Sequence, residues 1–182
     1  VRVSADRPGK VAFTAGVTAP GNRSRTTTAA GGRITFAGTL DDNELRFESQ
    51  TLVRNEGGTR GDNADGTVTV SGADAAVVIL GAGTDYADRY PTYRGPDPHA
   101  AVTAAVDAAA AKSYADLLAA HRADYEALFA RVTLDIGQSM PAIPTDELLA
   151  SYMDGTSPAD KALEALYFQY GRYLLIASSR DG

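Results

Sequence analysis

The spacing of apolar residues changes once along the chain, near 91–98, and this change constrains the fold more than any other feature of the sequence. Before that border, short apolar runs are separated by turn residues, which is typical of β-strands. Glycine pairs at 31–32 and 57–58 supply the positive φ angles that tight hairpins require. The runs predict strands at 11–17, 33–40, 44–53, 67–70 and 75–80. Their number and spacing predict an antiparallel β-sandwich.

Two of these runs indicate where a strand lies in its sheet. Apolar side chains alternate over 33–37, as expected for a strand with one face in the core and the other in water. The run 75–80 has no such alternation, which predicts a central strand.

After the border, the apolar residues follow the helical period. Asp97 is placed to cap a helix that begins at Pro98, and the alanine-rich run to Ala111 has high helix propensity. Ser113 followed by Asp116 either opens a second helix or marks a bend. The next apolar residues recur every three or four positions, so we expect a helix that packs against another element. This stripe consists of Leu117, Leu118, His121, Tyr125, Leu128 and Phe129.

The segment that follows is predicted to contain a short strand, because Val132, Leu134 and Ile136 alternate with polar residues. Thr145 can then cap a short helix that runs through Met153. The segment 157–160 is similar to a capping box, with a carboxylate at the third helical position, and predicts the start of the last helix.

That last helix, at 163–177, is apolar or aromatic on nearly every face. A helix of this kind is normally buried all round. Gly171 in its middle costs about 1 kcal/mol relative to alanine, so we expect a neighbouring helix to pass close there. A chain that ends at Gly182 has few elements with which to cover such a surface. We therefore expect the chain to be a piece of a larger protein, and the isolated chain to self-associate through this helix.

Composition excludes several functions. The 182 residues include 44% hydrophobic and 22% charged residues, as in soluble globular proteins, and the net charge of −6 argues against a nucleic-acid partner. No apolar run is long enough to cross a bilayer and no signal peptide is recognisable, so no membrane partner is expected. There is no cysteine and there are only two histidines, so we predict no metal site and no cofactor.

The sequence resembles one enzyme family over essentially its whole length. The run 163–180, LEALYFQYGRYLLIASSR, is similar to the helix that opens the catalytic barrel of α-L-fucosidases of glycoside hydrolase family 95. Thr84-Asp85-Tyr86 and the opening 1–9 also fit that family. Further matches are His121, Asp124, Tyr125, Leu128, Phe129, Arg131, Val132, Leu134, Gly137 and 144–147. Asp181 departs from the proline that usually follows the arginine.

The resemblance implies an α+β fold in three parts. Residues 1–90 would belong to an N-terminal β-sandwich, 91–143 to a helical linker with a short strand, and 144–182 to the start of an (α/α)6 catalytic barrel. The parent enzyme would remove terminal α-L-fucose from fucosylated oligosaccharides with inversion, and would be secreted or held at the cell surface. In this family a barrel glutamate is the acid, and asparagines act with an aspartate on the water. No position of this sequence matches those residues, so no catalytic residue is assigned and the chain alone is expected to be inactive.

Substrate-binding residues are nevertheless predicted at Thr84, Asp85 and Arg180. Asp85 follows a probable central strand on a loop with Thr84, and such loops often line clefts, although a turn aspartate is the commoner explanation. Arg180 either pairs with the last carbonyls of its helix or reaches a cleft. The other neighbouring carboxylates, at 41–42 and 146–147, are explained by a turn and a first helical turn.

Two other functions stay open at this point. One is a non-catalytic carbohydrate-binding or interaction module, which would need exposed aromatics on a face or at the loop tips of the sandwich. This half of the chain has few aromatics: Phe13, Phe36 and Phe47, then Tyr86, Tyr90 and Tyr93 at its end. The other is a sugar phosphorylase of similar architecture, in which phosphate takes the place of water.

Overall fold

The chain folds into antiparallel strands followed by helices. The structure, a computed structural model, describes residues 1–179. Within that range the strands are β1 (Arg2–Ser4), β2 (Val11–Ala15), β3 (Arg23–Ala30), β4 (Arg33–Leu40), β5 (Arg46–Glu56), β6 (Thr59–Asp62), β7 (Val68–Ala73) and β8 (Ala75–Thr84). The helices are α1 (His99–Ala110), α2 (Tyr114–Phe129), α3 (Thr145–Ala150) and α4 (Pro158–Ser178). The predicted α+β class, a sandwich portion followed by helices, is confirmed.

Two compact units make up the chain, Val1–Leu117 and Leu118–Gly182, and each is described by itself. The predicted division into 1–90, 91–143 and 144–182 stays a prediction.

The first unit contains two antiparallel sheets. One has the strand order β1-β8-β5-β4-β3 and the other has the order β2-β7-β6. Ile34 and Val53 of the larger sheet and Val68 and Val70 of the smaller one are fully buried in a common core. β8 lies between β1 and β5, which confirms the central position predicted for 75–80.

The outer face of the larger sheet is covered by α1. Two glycines of β8 allow this close approach: a Cβ atom at Gly81 would lie 2.7 Å from Cγ2 of Val106, and one at Gly83 would lie 3.0 Å from Cγ2 of Val102. The Gly81-Ala82-Gly83 segment therefore serves helix packing. Asp97 accepts a hydrogen bond from the backbone N–H of His99 at 2.9 Å, but α1 begins at His99, one residue later than predicted, and its N-cap residue is Pro98.

A buried polar network lies between α1 and the same sheet. Gln50 is fully buried, and its Nε2 donates to the Glu48 carboxylate at 2.6 Å and to the Thr103 hydroxyl at 2.7 Å. Its Oε1 accepts from Arg33 at 2.6 Å, and the Glu48 carboxylate lies 3.0 Å from Nδ1 of His99. Every polar atom of Gln50 has a partner, so its burial carries no unpaired group.

Ser113 and Asp116, near the end of the first unit, exchange hydrogen bonds at the start of α2, so this pair opens a helix and does not mark a bend. The second unit is helical. Ser157 caps α4 by accepting from the backbone N–H of Asp160, as predicted. Arg172 of α4 donates to the carbonyl oxygens of Phe129 and Val132 at 2.7 and 2.9 Å, and thereby ties α4 to the end of α2.

Two predictions for this unit were wrong. Residues 132–136 form no strand, because their backbone groups bond a side chain instead of a second strand: Gln138 accepts from Ile136 N–H and donates to the Leu134 carbonyl. Thr145 makes no capping hydrogen bond, and α3 ends at Ala150 and does not reach Met153. The stripe on α2 is mostly half-buried, and its Tyr125 packs edge-on against Tyr173 of α4 at 5.9 Å, so the expected packing against another element is found.

Candidate functional site

The strand β8 ends at Thr84 and is followed directly by Asp85, the residue that the sequence singles out. Its backbone N–H still donates to the Arg46 carbonyl of β5 at 3.1 Å. Its carboxylate, and not its carbonyl, accepts from the Arg46 N–H at 3.0 Å, and its carbonyl turns away to accept from Gly95 at 2.6 Å. The last hydrogen bond between β5 and this segment is thus made by the side chain of Asp85, and the backbone leaves the sheet there and enters a loop.

The carboxylate of Asp85 is buried and paired. Nε of Arg94 lies 3.8 Å from it, and the same guanidinium donates to the carbonyl oxygens of Asn43 and Tyr93. Together with Arg46, these residues form what we call the Asp85 corner. A cavity of about 700 Å³ opens beside the corner and is lined by Thr39, Asn43, Glu44, Arg46, Asp85, Thr92, Arg94 and Gly95. This lining is rich in hydrogen-bonding groups, as a sugar site requires.

The loop at 86–94, here called the tyrosine loop, carries three aromatic side chains. The rings of Tyr86 and Tyr93 are parallel within 2°, with centroids 6.5 Å apart, and Tyr90 meets Tyr93 edge-on at 6.3 Å. The loop is closed by an isolated β-bridge between Tyr86 and Arg94 and by a hydrogen bond from Tyr93 N–H to the Arg89 carbonyl at 2.8 Å. None of these tyrosines was predicted as a site residue, although three tyrosines within eight residues are a usable signal.

The predicted site residues do not come together. Thr84 is exposed, its hydroxyl accepts from the Tyr86 N–H at 3.3 Å, and it lines a cavity of about 340 Å³ between the end of β8 and α1. Asp85 lines the other cavity, beside the corner. Arg180 lies outside the described residues. The substrate role of all three stays a prediction.

The other acidic groups are explained by local structure. Asp41 and Asp42 occupy the exposed turn between β4 and β5, and Asp146 and Glu147 lie exposed in the first turn of α3. Within residues 1–179, no group of three or more His, Cys, Asp or Glu side chains is arranged to hold a metal ion.

The pKa values of three side chains are shifted by neighbouring residues. The hydroxyl of Thr67 lowers the pKa of Asp65 by hydrogen bonding, and Thr156 lowers the pKa of Asp154 in the same way. A hydrogen bond to Glu164 raises the pKa of Tyr152. All three groups are exposed to solvent, and none is part of an acid and base pair.

An apolar surface on α3 and α4 is the other prominent feature of the described chain. A cavity of about 660 Å³ is lined by Thr145, Leu149, Tyr152, Leu163, Glu164, Leu166, Tyr167 and Tyr170. Tyr167 is 79% exposed and Leu175 is 63% exposed. Among the described residues, nothing lies within 4 Å of a Cβ atom built at Gly171, so the expected neighbouring helix is not found there. None of the described helices is long and apolar enough to cross a membrane.

Comparison with known proteins assigns the helical part of the chain. Residues 113–182 match the glycosyl hydrolase family 95 catalytic domain. The match covers 70 of the 182 residues, and over this part the chain is similar to glycosyl hydrolase family 95. The resemblance of 163–180 to the opening of the family 95 barrel is thereby confirmed. Residues 1–89 match the N-terminal domain of glycosyl hydrolase family 65.

The family 95 assignment agrees with three curated relatives. The chain is 34% identical to alpha-L-fucosidase 2 of Arabidopsis thaliana over 151 residues, which is 78% of the chain. It is 40% identical to probable alpha-fucosidase A of Aspergillus niger over 93 residues, 50% of the chain, and 30% identical to that of Aspergillus oryzae over 141 residues, 71% of the chain. The matches span 11%, 18% and 19% of the Aspergillus niger, Arabidopsis and Aspergillus oryzae proteins.

Proposed function

We propose that this chain is part of a glycosidase that removes terminal α-L-fucose from oligosaccharides with inversion of the anomeric centre. The observation that carries the proposal is the match of residues 113–182 to a family 95 catalytic domain. The three relatives, each named as an α-fucosidase, support fucose as the sugar that is cleaved.

The reaction needs two groups on opposite sides of the sugar ring. In an inverting glycosidase, a carboxylic acid protonates the leaving oxygen and a second group activates a water molecule on the other face. The neighbouring carboxylates of this chain lie in an exposed turn and in the first turn of a short helix, and they are not arranged as such a pair. We infer that the acid and the water-activating group belong to other parts of the full-length protein.

We further infer that α4 provides packing surface for the catalytic domain. Its exposed side chains include Tyr167, Tyr170, Leu174 and Leu175. Exposure of such apolar groups to water is unfavourable, and their burial in a helical barrel would stabilise the protein. This accounts for the apolar surface without assigning it a ligand. A secreted or cell-surface location is part of the same proposal.

The test compares the full-length protein with the 182-residue chain on 2′-fucosyllactose. We expect the full-length protein to release L-fucose that is first detected by NMR as the β-anomer, and the 182-residue chain to release none. Release of the α-anomer first would overturn inversion. Cleavage that requires added phosphate and yields fucose 1-phosphate would overturn hydrolysis in favour of a phosphorylase.

A further inference from the structure

We propose that the tyrosine loop is a carbohydrate-binding surface, on which the rings of Tyr86 and Tyr93 pack against a pyranose ring of a neutral oligosaccharide. The surface lies wholly within the first unit. The proposal therefore concerns binding by this chain and does not depend on the fucosidase activity proposed above.

The arrangement of the rings leaves aromatic faces open. Tyr86 is 60% exposed and Tyr93 is 40% exposed. Their rings are parallel within 2° and their centroids lie 6.5 Å apart, near the upper end of the range for aromatic pairs. Tyr90 is 85% exposed and stands edge-on to Tyr93, at an interplanar angle of 83°. A pyranose ring, with an apolar C–H face and a rim of hydroxyl groups, has the complementary shape and chemistry.

The loop is held in shape without a ligand. Gly95 N–H donates to the Asp85 carbonyl at 2.6 Å, and Ala87 N–H donates to the Tyr93 carbonyl at 3.3 Å. Arg94 joins the loop to the buried Asp85 carboxylate. A surface that is already ordered loses little conformational entropy when it binds. Asp85 is thus a positioning residue for the tyrosine loop in this proposal.

The backbone of Tyr93 strengthens the inference. Its φ of 52° lies in the left-handed region, where a residue with a Cβ is strained and glycine is not. An aromatic side chain occupies a position whose backbone favours glycine. Strain of this kind tends to occur where a side chain is needed for function.

Hydrogen-bonding groups lie beside the tyrosines. Thr92 and Arg94, which flank Tyr93 in the chain, line the cavity of about 700 Å³ together with Asn43 and Glu44. This lining contains donors and acceptors of both charge signs. It therefore suits the hydroxyl rim of a neutral sugar better than an anion or a cation.

A protein partner fits this surface less well. The centre of a protein interface is depleted in charged residues, whereas Asp88 and Arg89 are exposed within the tyrosine loop. Binding of another protein that sugars do not compete for would count against the proposal.

The test uses tyrosine-labelled NMR of the 182-residue chain. The chain has nine tyrosines, three of which lie in the tyrosine loop, so the labelled ring signals are few and overlap little. On titration with 2′-fucosyllactose, we expect saturable shifts of the Tyr86 and Tyr93 signals, with a dissociation constant of about 0.1–5 mM, as for a small and solvent-exposed site. Lactose, which lacks fucose, serves as the comparison. If both sugars bind equally well, the lactose part of 2′-fucosyllactose is the part that contacts the tyrosines.

Matched variants separate binding from folding. Tyr86→Ala is expected to raise the dissociation constant at least tenfold, and Tyr86→Phe, which keeps the ring, less than threefold. Tyr167→Ala removes a tyrosine on α4 that is 79% exposed and is expected to leave the dissociation constant for the sugar unchanged. Tyr93→Gly should abolish binding while the chain stays folded, because glycine accepts the backbone conformation there.

Two results would overturn the proposal. One is the absence of any saturable shift at the loop tyrosines, with the shifts found instead at tyrosines of α2 and α4. The other is unchanged affinity in folded Tyr86→Ala and Tyr93→Gly variants. Neither result bears on whether the full-length protein cleaves fucose, so the two proposals fail separately.

Discussion

At the scale of single residues, one carboxylate decides where the larger sheet stops. The side-chain carboxylate of Asp85 accepts the hydrogen bond from the Arg46 N–H. In a strand that continued, the backbone carbonyl oxygen of Asp85 would accept this hydrogen bond instead. The freed carbonyl then bonds Gly95 and starts the loop. Removing this acceptor is costly, because the partly buried hydrogen bond is lost and the Arg46 N–H is left without its acceptor.

Replacing this carboxylate should therefore destabilise the first unit. We expect Asp85→Ala to lower the free energy of unfolding by about 1–3 kcal/mol, measured by urea denaturation, because the Arg46 N–H loses its acceptor. Asp85→Asn keeps an acceptor oxygen and should cost less. The control is Asp88→Ala, an exposed position, which should change stability by less than about 0.5 kcal/mol. Equal stability of all three variants would show that the ladder does not depend on this side chain.

At the scale of elements, the packing of α1 on β8 depends on glycine residues of β8, which have no side chain. Gly81 faces Val106 so closely that a Cβ atom would approach its methyl group to 2.7 Å. Valine is stiff at χ1 and cannot swing away without changing rotamer. The glycines of β8 are therefore required for the close packing of α1.

This packing predicts a coupling between two positions. Gly81→Ala should destabilise the chain by about 1–3 kcal/mol through overpacking, as measured by thermal and urea denaturation. In a double-mutant cycle, Val106→Ala should remove most of that cost. Gly61→Ala is the control, because a Cβ atom there meets nothing within 4 Å and the backbone is not in the left-handed region. Additive effects at 81 and 106 would contradict this account of the interface.

Elements with a strong pattern were predictable from the sequence, and weakly patterned ones were not. The run 33–40 corresponds residue for residue to β4, since its alternation follows burial. β3 and β6 were missed because their residues are mostly polar and exposed, so no apolar pattern marks them. Residues 132–136 show the opposite failure: they alternate, but no second strand pairs with them. Alternation predicts a strand only where a partner strand is available.

The same limit applies to the candidate site. Asp85 could be selected from its place after a strand, because strand ends lead into loops. The tyrosine loop could not be assembled from the sequence, because ring orientation depends on the bridge between Tyr86 and Arg94 and on the backbone of Tyr93. The buried pair of Glu48 and Gln50 was missed because polar residues in a strand are ordinarily predicted to face water.

At the scale of the whole molecule, the exposed apolar side chains of α4 dominate how the chain should behave in solution. Tyr167 and Leu175 are both more than half exposed, whereas only Asp160, Ala162 and Ala165 of this helix are fully buried. Large apolar patches on soluble proteins favour association.

We expect the 182-residue chain to bind a hydrophobic dye and to self-associate in sedimentation experiments. The double variant Tyr167→Gln with Leu175→Gln should reduce both effects severalfold, and should change stability little because both side chains are exposed. Arg122→Gln, an exposed change on α2, is the control. A chain that remains a monomer and does not increase the fluorescence of the dye would show that α4 does not drive association.

The edge strand β3 limits the form that such association can take. It closes one side of the larger sheet and carries arginines at 23 and 25 beside three consecutive threonines. Charged, polar edges resist the addition of a further strand, which is the step by which cross-β fibres grow. Aggregates of this chain should accordingly be amorphous and reversible, dispersed by mild detergent and unable to seed fibrils.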